Sequence, residues 1–387
     1  MCLEYRNIDV YVNVNSVPIL TDERPHLKDT MSSAPTASAL HYPLAEQVPA
    51  SGSVCEIAPG VLWVRMGLPF ALDHINLWLV RDEMPGPSGP LAGWTVVDCG
   101  IHNPATHAAW EEVFASALQG LPILRVLVTH MHPDHMGSAH WLCERWQAPL
   151  WISSTEYLSA QMATHGLSNF GGDLTQAFFA SHGWSDPNDM RDVKARMGYY
   201  SGMVPQVPAA YHRLMGGQTF KMGGQHWRCI AGFGHSPEHM ALYCEGTGVL
   251  ISGDMVLPQI STNVSVYAQE PEGNALQQFL TSLEAFADLP DDTLVLPSHG
   301  RPFRGLHTRI AQLQAHHQER LSDLLAACQK QAISAHDSLP ILFKRALNFH
   351  QATFAIGEAV AHLHLLWHKG QVQRVQGADG VYRFGAV

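Results

Sequence analysis

The chain has 387 residues, of which 46% are hydrophobic and 15% charged, against about 25% charged in typical globular proteins. This composition excludes a disordered or fibrous protein and supplies enough apolar side chains for a substantial core. The formal net charge of −11 disfavours binding to nucleic-acid phosphates. Because 24 residues are histidines, the positions at which histidine clusters are the most informative part of the sequence.

The sequence contains no apolar run of the ~18 residues needed to cross a bilayer. Its first residues, MCLEYRNIDVYVNVNS, lack the basic start, apolar stretch and cleavage site of a signal peptide. The seven cysteines are scattered without a CxxC pair, a pattern typical of a reducing compartment. We therefore predict a cytoplasmic protein without a membrane-spanning segment.

Residues 1–45 lack sustained periodicity, which predicts a loose N-terminal tail in which Met31 is an alternative start. From residue 55, short apolar runs between glycines and prolines predict strands, and Ala105–Leu118 has helical spacing. The strands form two sets, separated by a predicted helical insertion or lid over residues 155–215. The sets are Val61–Met66, Ile75–Val80, Trp94–Val97 and Leu124–Val128, then Thr219–Met222, Trp227–Ala231, Met240–Cys244, Val249–Ser252 and Leu294–Leu296.

Residues 307–387 have a different pattern, in which three helices precede a short hairpin around the GADG turn. The first predicted helix follows the apolar stripe Ile310–Cys328. The second begins at Ser338, before Pro340, and the third covers Phe354–Lys369 and ends at Gly370. This order is typical of a small, mainly helical, winged-helix-like module. We expect the module to close one wall of the site or to form a dimer contact.

Residues 124–135 read LRVLVTHMHPDH, an apolar strand followed at once by four side chains that bind metals. Alternate residues of an extended chain point the same way, so His130 and His132 can approach one ion. Asp134 and His135 follow a proline-forced turn and can face a second ion. Imidazole and carboxylate are ligands of Zn²⁺ and other first-row divalent ions, so this spacing predicts a metal site rather than a merely polar loop.

Four other strands end next to glycine or proline with a ligand-type residue: Asp98, His235, Asp254 and His299. Each alone is more typical of a turn or helix cap. Together with the HxHxDH motif, they predict a site on loops at one end of the sheets, where α/β folds assemble function.

The order of Asp98, THMHPDH (129–135), GHS (234–236), GD (253–254) and SHG (298–300) resembles the metallo-β-lactamase fold superfamily over about residues 55–305. The resemblance implies an α/β fold, a four-layer αβ/βα sandwich in residues 46–306, followed by the winged-helix-like module. It also implies the roles of the site residues. His130, His132 and His235 would hold a first metal ion, Asp134, His135 and His299 a second, Asp254 would bridge both, and Asp98 would orient the ligands by hydrogen bonding.

Differences within the superfamily narrow the expected activity. Zinc β-lactamases generally carry Cys, Asn or Ser where Asp254 stands, and diiron oxygen-reducing members carry Glu where His132 stands. The pattern is most similar to glyoxalase-II-like thioester hydrolases, and also to lactonases and an endoribonuclease branch, to which the C-terminal module is closer. No residues match the basic ones that hold glutathione in glyoxalase II.

We expect two divalent metal ions, Zn²⁺ first with Mn²⁺ or Fe²⁺ as alternatives, to lie about 3.5–4 Å apart and share a water. The metal-bridged hydroxide would cleave a thioester, ester or lactone, with Asp134 or Asp254 accepting or relaying the proton. The expected partner is a small-molecule or acyl-carrier-type substrate rather than nucleic acid or a membrane. A homodimer is an open alternative to a monomer. The alternatives are a metallo-endonuclease, a mononuclear iron persulfide oxygenase and a non-catalytic metal-binding module.

Other candidates each have a structural alternative. His74 could approach the site from the opposite sheet, whereas His140 and His239 are expected to pack or cap nearby. Cys99 is expected to be a small buried residue rather than a nucleophile. The aromatic residues of the insertion either line a substrate pocket or form the insertion's own core: Phe178, Phe179, Trp184, Tyr199 and Tyr200.

Overall fold

The computed structural model of the protein describes residues 40–86, 89–167 and 170–387. Within these residues, two large β-sheets pack face to face. The first has its strands in sequence order: β1 (Val54–Ala58), β2 (Val61–Gly67), β3 (His74–Gly86), β4 (Gly89–Val97), β5 (Ile123–Leu127), β6 (Leu150–Ser153) and β7 (Tyr211–Leu214). The second has the order β12-β11-β10-β9-β8, with β8 (Thr219–Met222), β9 (Gln225–Gly232), β10 (His239–Cys244), β11 (Val249–Gly253) and β12 (Leu294–Pro297).

Helices cover the outer face of each sheet. They are α1 (Pro104–Ser116), α2 (Pro133–Met136), α3 (Ala139–Trp146), α4 (Ser154–Thr164), α5 (Gly172–Ser181), α6 (Pro187–Ala195), α7 (Tyr199–Met203), α8 (Ala275–Glu284), α9 (Leu306–Lys330), α10 (Ala335–Leu342) and α11 (Phe349–His368). A separate hairpin follows, formed by β13 (Val372–Gln376) and β14 (Tyr382–Ala386). Among the described residues, no helix has the length and apolar character required to cross a membrane.

Three buried apolar clusters account for the layers. One lies between the sheets and combines Trp63 and Trp78 of the first sheet with Trp227 of the second. A second packs α1, α3 and α4 on the first sheet, and the third packs α8, α9 and α11 on the second. Burial of these side chains is the main favourable contribution to the fold. The predicted four-layer αβ/βα sandwich is therefore confirmed.

Two segments differ from the sequence expectations for the main domain. Residues 40–45 of the predicted loose tail contact the body of the protein, because the backbone of His41 pairs with that of Arg304 and Tyr42 packs against the apolar core. Residues 1–39 of that tail lie outside the described residues. The predicted helical insertion, residues 155–215, also contains β7, which pairs in parallel with β6 as the edge strand of the first sheet.

The C-terminal residues follow the predicted order of three helices and a hairpin, and their classification as a winged helix stays a prediction. The predicted start of the middle helix at Ser338 is wrong. Ser334 and Asp337 form a capping box, which begins α10 at Ala335 and leaves Pro340 inside this short helix. A second capping box at Asn348 likewise begins α11 five residues before the predicted start.

Candidate metal centre

The predicted ligand residues meet at one end of the two sheets. His130 and His132 lie on the loop after β5, and His235 follows β9. Asp254 follows β11, and His299 follows β12, which is parallel to β11 and therefore ends at the same edge. Strands that end at the same edge of a sheet place the loops that follow them side by side. Side chains from distant parts of the chain therefore lie close together here.

A first group consists of His130, His132 and His235, whose ligand atoms lie within 4.8 Å of one another. The His130 Nε2 atom lies 3.0 Å from His132 Nδ1 and 3.1 Å from His235 Nε2. Burial, together with the neighbouring imidazoles, lowers the pKa of His130 well below its usual value. Burial also lowers the pKa of His132 to about 3. These neutral rings offer the lone pairs that a metal ion needs.

A second group consists of Asp134, His135 and His299. An oxygen of Asp134 lies 3.5 Å from His135 Nε2 and 3.3 Å from His299 Nε2. Burial opposes charging of His135, but the carboxylates of Asp134, Asp98 and Asp254 raise its pKa to about 9. The carboxylates around this group thus stabilise positive charge. A bound cation would supply that charge in place of the proton on His135.

Asp254 lies between the two groups. Its Oδ2 is 3.4 Å from His235 Nε2, and its Oδ1 is 3.5 Å from His135 Nε2 and 3.6 Å from His299 Nε2. The Asp254 Oδ1 and His135 Nε2 atoms are buried without a hydrogen-bond partner among the described residues. Such atoms are costly unless something binds them, and a donor set of imidazoles and carboxylates fits first-row divalent cations.

Hydrogen bonds on the far side of the rings fix the direction in which they point. The His235 Nδ1 atom bonds the backbone oxygen of Asn263 at 2.7 Å, and His299 Nδ1 bonds that of His74 at 2.8 Å. The His74 ring in turn accepts from the backbone N–H of Gly300 at 2.8 Å. His74 therefore approaches the site only through His299, and the rings of His235 and His299 present Nε2 to the centre.

Asp98 lies behind His135. Its Oδ2 is 2.8 Å from His135 Nδ1, and its Oδ1 accepts from the backbone N–H of Thr129 at 2.8 Å. The backbone of Asp98 has a φ of 62°, in the left-handed region that asparagine and aspartate tolerate better than most residues. This carboxylate holds the tautomer and the orientation of His135.

His239 has a more specific contact than the sequence indicated. The backbone N–H of Asp254 donates to His239 Nε2 at 3.2 Å, so this buried ring positions the loop that carries Asp254. Gly253 has a φ of 54°, and a Cβ atom there would lie 2.1 Å from His239 Nε2. A residue with a side chain therefore does not fit at position 253 without displacing His239.

Glu156 is a buried site residue that the sequence analysis missed. Its carboxylate accepts from the backbone N–H of Met131 at 2.8 Å, from Ser236 Oγ at 2.7 Å and from the backbone N–H of Glu238 at 2.6 Å. Burial raises the pKa of Glu156, although these hydrogen bonds favour the charged form. Glu156 thus joins the HxHxDH loop to the loop of His235, and no local motif distinguishes it from a surface helical glutamate.

Three other candidates from the sequence have no place among the ligands. His140 lies 3.4 Å from Glu144 on α3. Cys99 is fully buried, and burial raises the pKa of its thiol well above the usual value, which excludes a ready nucleophile. Among the insertion's aromatics, Phe178, Phe179 and Trp184 pack against the C-terminal helices, whereas Tyr200 belongs to the core on the first sheet.

Two cavities lie beside the candidate ligands, and His132 and Phe170 line both. The first has a volume of about 400 Å³ and lies against the C-terminal residues, with Tyr199 of the insertion in its wall. Its apolar lining consists mainly of Leu68, Phe70, Leu72, Phe343, Leu347 and Phe354. The second has a volume of about 310 Å³ and lies against α4. Tyr200 lines neither; its hydroxyl donates to the backbone oxygen of Met131 at 2.6 Å.

Comparison with known proteins agrees with this geometry. Residues 73–299 match the model of the Metallo-beta-lactamase superfamily, and residues 321–387 match that of the Metallo-beta-lactamase-like, C-terminal domain. A beta-lactamase domain protein from Burkholderia ambifaria is 51% identical, with a TM-score of 0.85 over 90% of this chain and 98% of that chain. The chain belongs to the metallo-beta-lactamase superfamily and is a metallo-hydrolase of that superfamily.

Curated relatives are more distant. A probable metallo-hydrolase, YqjP of Bacillus subtilis, is 22% identical over 79% of this chain and 92% of its own length. A hydroxyacylglutathione hydrolase of Prochlorococcus marinus is 24% identical over 60% of this chain and 68% of its own length.

Proposed function

We propose that this metallo-hydrolase cleaves a thioester, ester or lactone at a centre of two divalent metal ions. The observation that carries the proposal is the position of Asp254, whose two oxygens face imidazoles of both ligand groups. In this proposal one ion is held by the first group, a second ion by the second group, and Asp254 contacts both. Ions bound there would lower the pKa of a water molecule and polarise a carbonyl oxygen.

The protein's own residues have separate tasks in this reaction. Asp98, Asn263 and His74 keep the ligand rings directed at the centre through the hydrogen bonds described above. Asp134 is the more exposed of the two carboxylates, with 18% of its side chain accessible against 9% for Asp254. We propose that Asp134 and Asp254 accept or relay the proton of the attacking water, because they are the carboxylates beside the reacting position.

The cavities favour an acyl compound as the substrate. The first cavity is lined mainly by apolar side chains, and both cavities border His132 of the first ligand group, so a molecule with a group on each side of the scissile bond would extend into both. The similarity to the hydroxyacylglutathione hydrolase of Prochlorococcus marinus adds support for thioester chemistry. We therefore propose a small-molecule or acyl-carrier-type substrate, with Zn²⁺, Mn²⁺ and Fe²⁺ all compatible with the ligand set.

The test combines elemental analysis with a substrate panel on one preparation of the protein. The panel contains acyl thioesters, lactones, aryl esters and a phosphodiester, assayed before and after chelation and after the return of each metal. We expect about two divalent ions per chain and chelator-sensitive hydrolysis of carbonyl substrates. Cleavage of the phosphodiester alone, or about one iron per chain without hydrolysis, would overturn the proposal.

A further inference from the structure

The C-terminal helix α11 places a carboxyl group in the wall of the first cavity. Gln351, Phe354 and Glu358 are three or four residues apart and therefore lie on one face of the helix. All three line the cavity that also contains His235 and Asp254. Glu358 is thus delivered to the metal centre by a part of the chain outside the main domain.

The carboxyl group of Glu358 is separate from the proposed ligand set. The carboxylates that line the first cavity are Asp134, Asp254 and Glu358, and the first two are needed for metal binding. Glu358 is linked to a proposed ligand through one residue, Asn263. Its Oε2 accepts from Asn263 Nδ2 at 3.2 Å, and the backbone oxygen of Asn263 bonds His235. Its position is therefore beside the centre rather than within it.

The surroundings of Glu358 favour a group that holds a proton. Burial raises the pKa of Glu358 to about 7, while the hydrogen bond from Asn263 and the charge of Arg320 on α9 lower it. No ion pair to Glu358 is present among the described residues. His362 on its own helix bonds the Glu358 backbone oxygen at 2.8 Å. The titratable groups that share the cavity lining with Glu358 are His132, Asp134, Tyr199, His235, Asp254, His299, Arg345 and His350.

We propose that Glu358 is the general acid that protonates the leaving group of the substrate. The inference rests on the proposed function and deepens it, because it orients the substrate: the leaving group occupies the first cavity and the acyl group the second. The water oxygen bonds to the carbonyl carbon, the C–O or C–S bond breaks, and the leaving oxygen or sulfur takes the Glu358 proton. The proton lost by the water returns to Glu358 through the solvent in the cavity.

A leaving-group series tests this role. Esters of one acyl group are prepared with alcohols from a nitrophenol to a simple alkanol, and kcat is compared between the wild-type protein and Glu358→Gln. The amide can still accept from Asn263 but has no proton of acidic character to give. We expect kcat to fall about 100-fold for the alkanol ester and less than about 3-fold for the nitrophenyl ester. The exposed Glu284→Gln variant on α8 is the matched control.

Two further readouts separate the outcomes. Metal content is measured in both variants, and the protonated-carboxyl infrared band is followed against pH in the metal-loaded protein. The band should be lost in Glu358→Gln while the metal content stays unchanged. If the wild-type protein cleaves the esters but Glu358→Gln slows every leaving group equally, Glu358 acts only on structure and the inference fails. If the wild-type protein cleaves neither these esters nor the thioesters and lactones of the substrate panel, the proposed function itself fails.

Discussion

The Oδ1 atom of Asp254 lies 3.5 Å from His135 Nε2, and neither of these buried atoms forms a hydrogen bond with a described residue. Asp254 follows β11, whereas His135 lies in the short helix α2 after β5, and the two strands belong to different sheets. The carboxylates of Asp254 and Asp98 therefore lie on two sides of the His135 ring, beside two buried atoms that lack hydrogen-bond partners among the described residues. A divalent cation bound there would satisfy both atoms at once. The other oxygen of Asp254, Oδ2, lies 3.4 Å from His235 Nε2 and would link this position to the first ligand group.

Replacing Asp98 with asparagine should weaken the metal centre without removing a proposed ligand. The amide lacks the charge that favours the His135 Nδ1–H orientation, so metal affinity is expected to fall by roughly 10- to 100-fold. Competition with a chelator of known affinity measures this directly. Asp379→Asn on the exposed C-terminal hairpin is the matched control and should bind metal as the wild-type protein does. Equal affinities in both variants would refute the role of Asp98.

The clash at position 253 can be isolated with two glycine substitutions. Gly253 and Gly248 both have positive φ, of 54° and 63°, but a Cβ at Gly248 meets nothing within 4 Å. Gly248→Ala should cost about 1 kcal/mol of unfolding free energy from backbone strain alone. Gly253→Ala should cost about 2 kcal/mol more and also lower metal content, because His239 must move away from Asp254. Similar denaturation midpoints for the two variants would show that His239 does not constrain this loop.

Acid should destabilise the protein partly through His364 of α11. This ring is buried, and burial lowers its pKa to about 3. Since the unfolded histidine takes up a proton near pH 6.5 and the folded one does not, stability is lost as the pH falls from about 6.5 toward 3, by up to about 1.4 kcal/mol per pH unit. His364→Asn can still donate to the backbone oxygen of Gly273 and should show a shallower loss. Urea unfolding at several pH values measures the difference, and parallel slopes would contradict it.

The residues of the candidate ligand groups could be singled out from the sequence because they lie in local motifs. His130 to His135 lie within six positions, and Asp254 and His299 each follow an apolar strand next to glycine. The contacts that hold these ligands were harder to find, because they join residues far apart in the chain. Glu156 is one case: it is 80 residues from Ser236, and only the fold brings them within 2.7 Å.

The limits of prediction for the fold have similar causes. The apolar runs of the buried strands were recognised, but β7 was missed, since its sequence YHRL carries little of the hydrophobic signal of a strand. Pairing with β6 determines its conformation, so tertiary contacts override local preference. Pro340 favours a helix start at Ser338, but in the structure the Ser334–Asp337 capping box begins α10 at Ala335.

The metal content of the wild-type protein and of Asp254→Ala tests the central claim most directly. Both proteins are purified in parallel, and their metals are counted by elemental analysis alongside turnover of a cleaved carbonyl substrate. We predict about two divalent ions per wild-type chain and about one in the variant. Turnover should fall more than about 100-fold, since the loss of a direct ligand should lower activity more than the loss of a supporting contact. A variant that keeps both ions and near-wild-type turnover would contradict it.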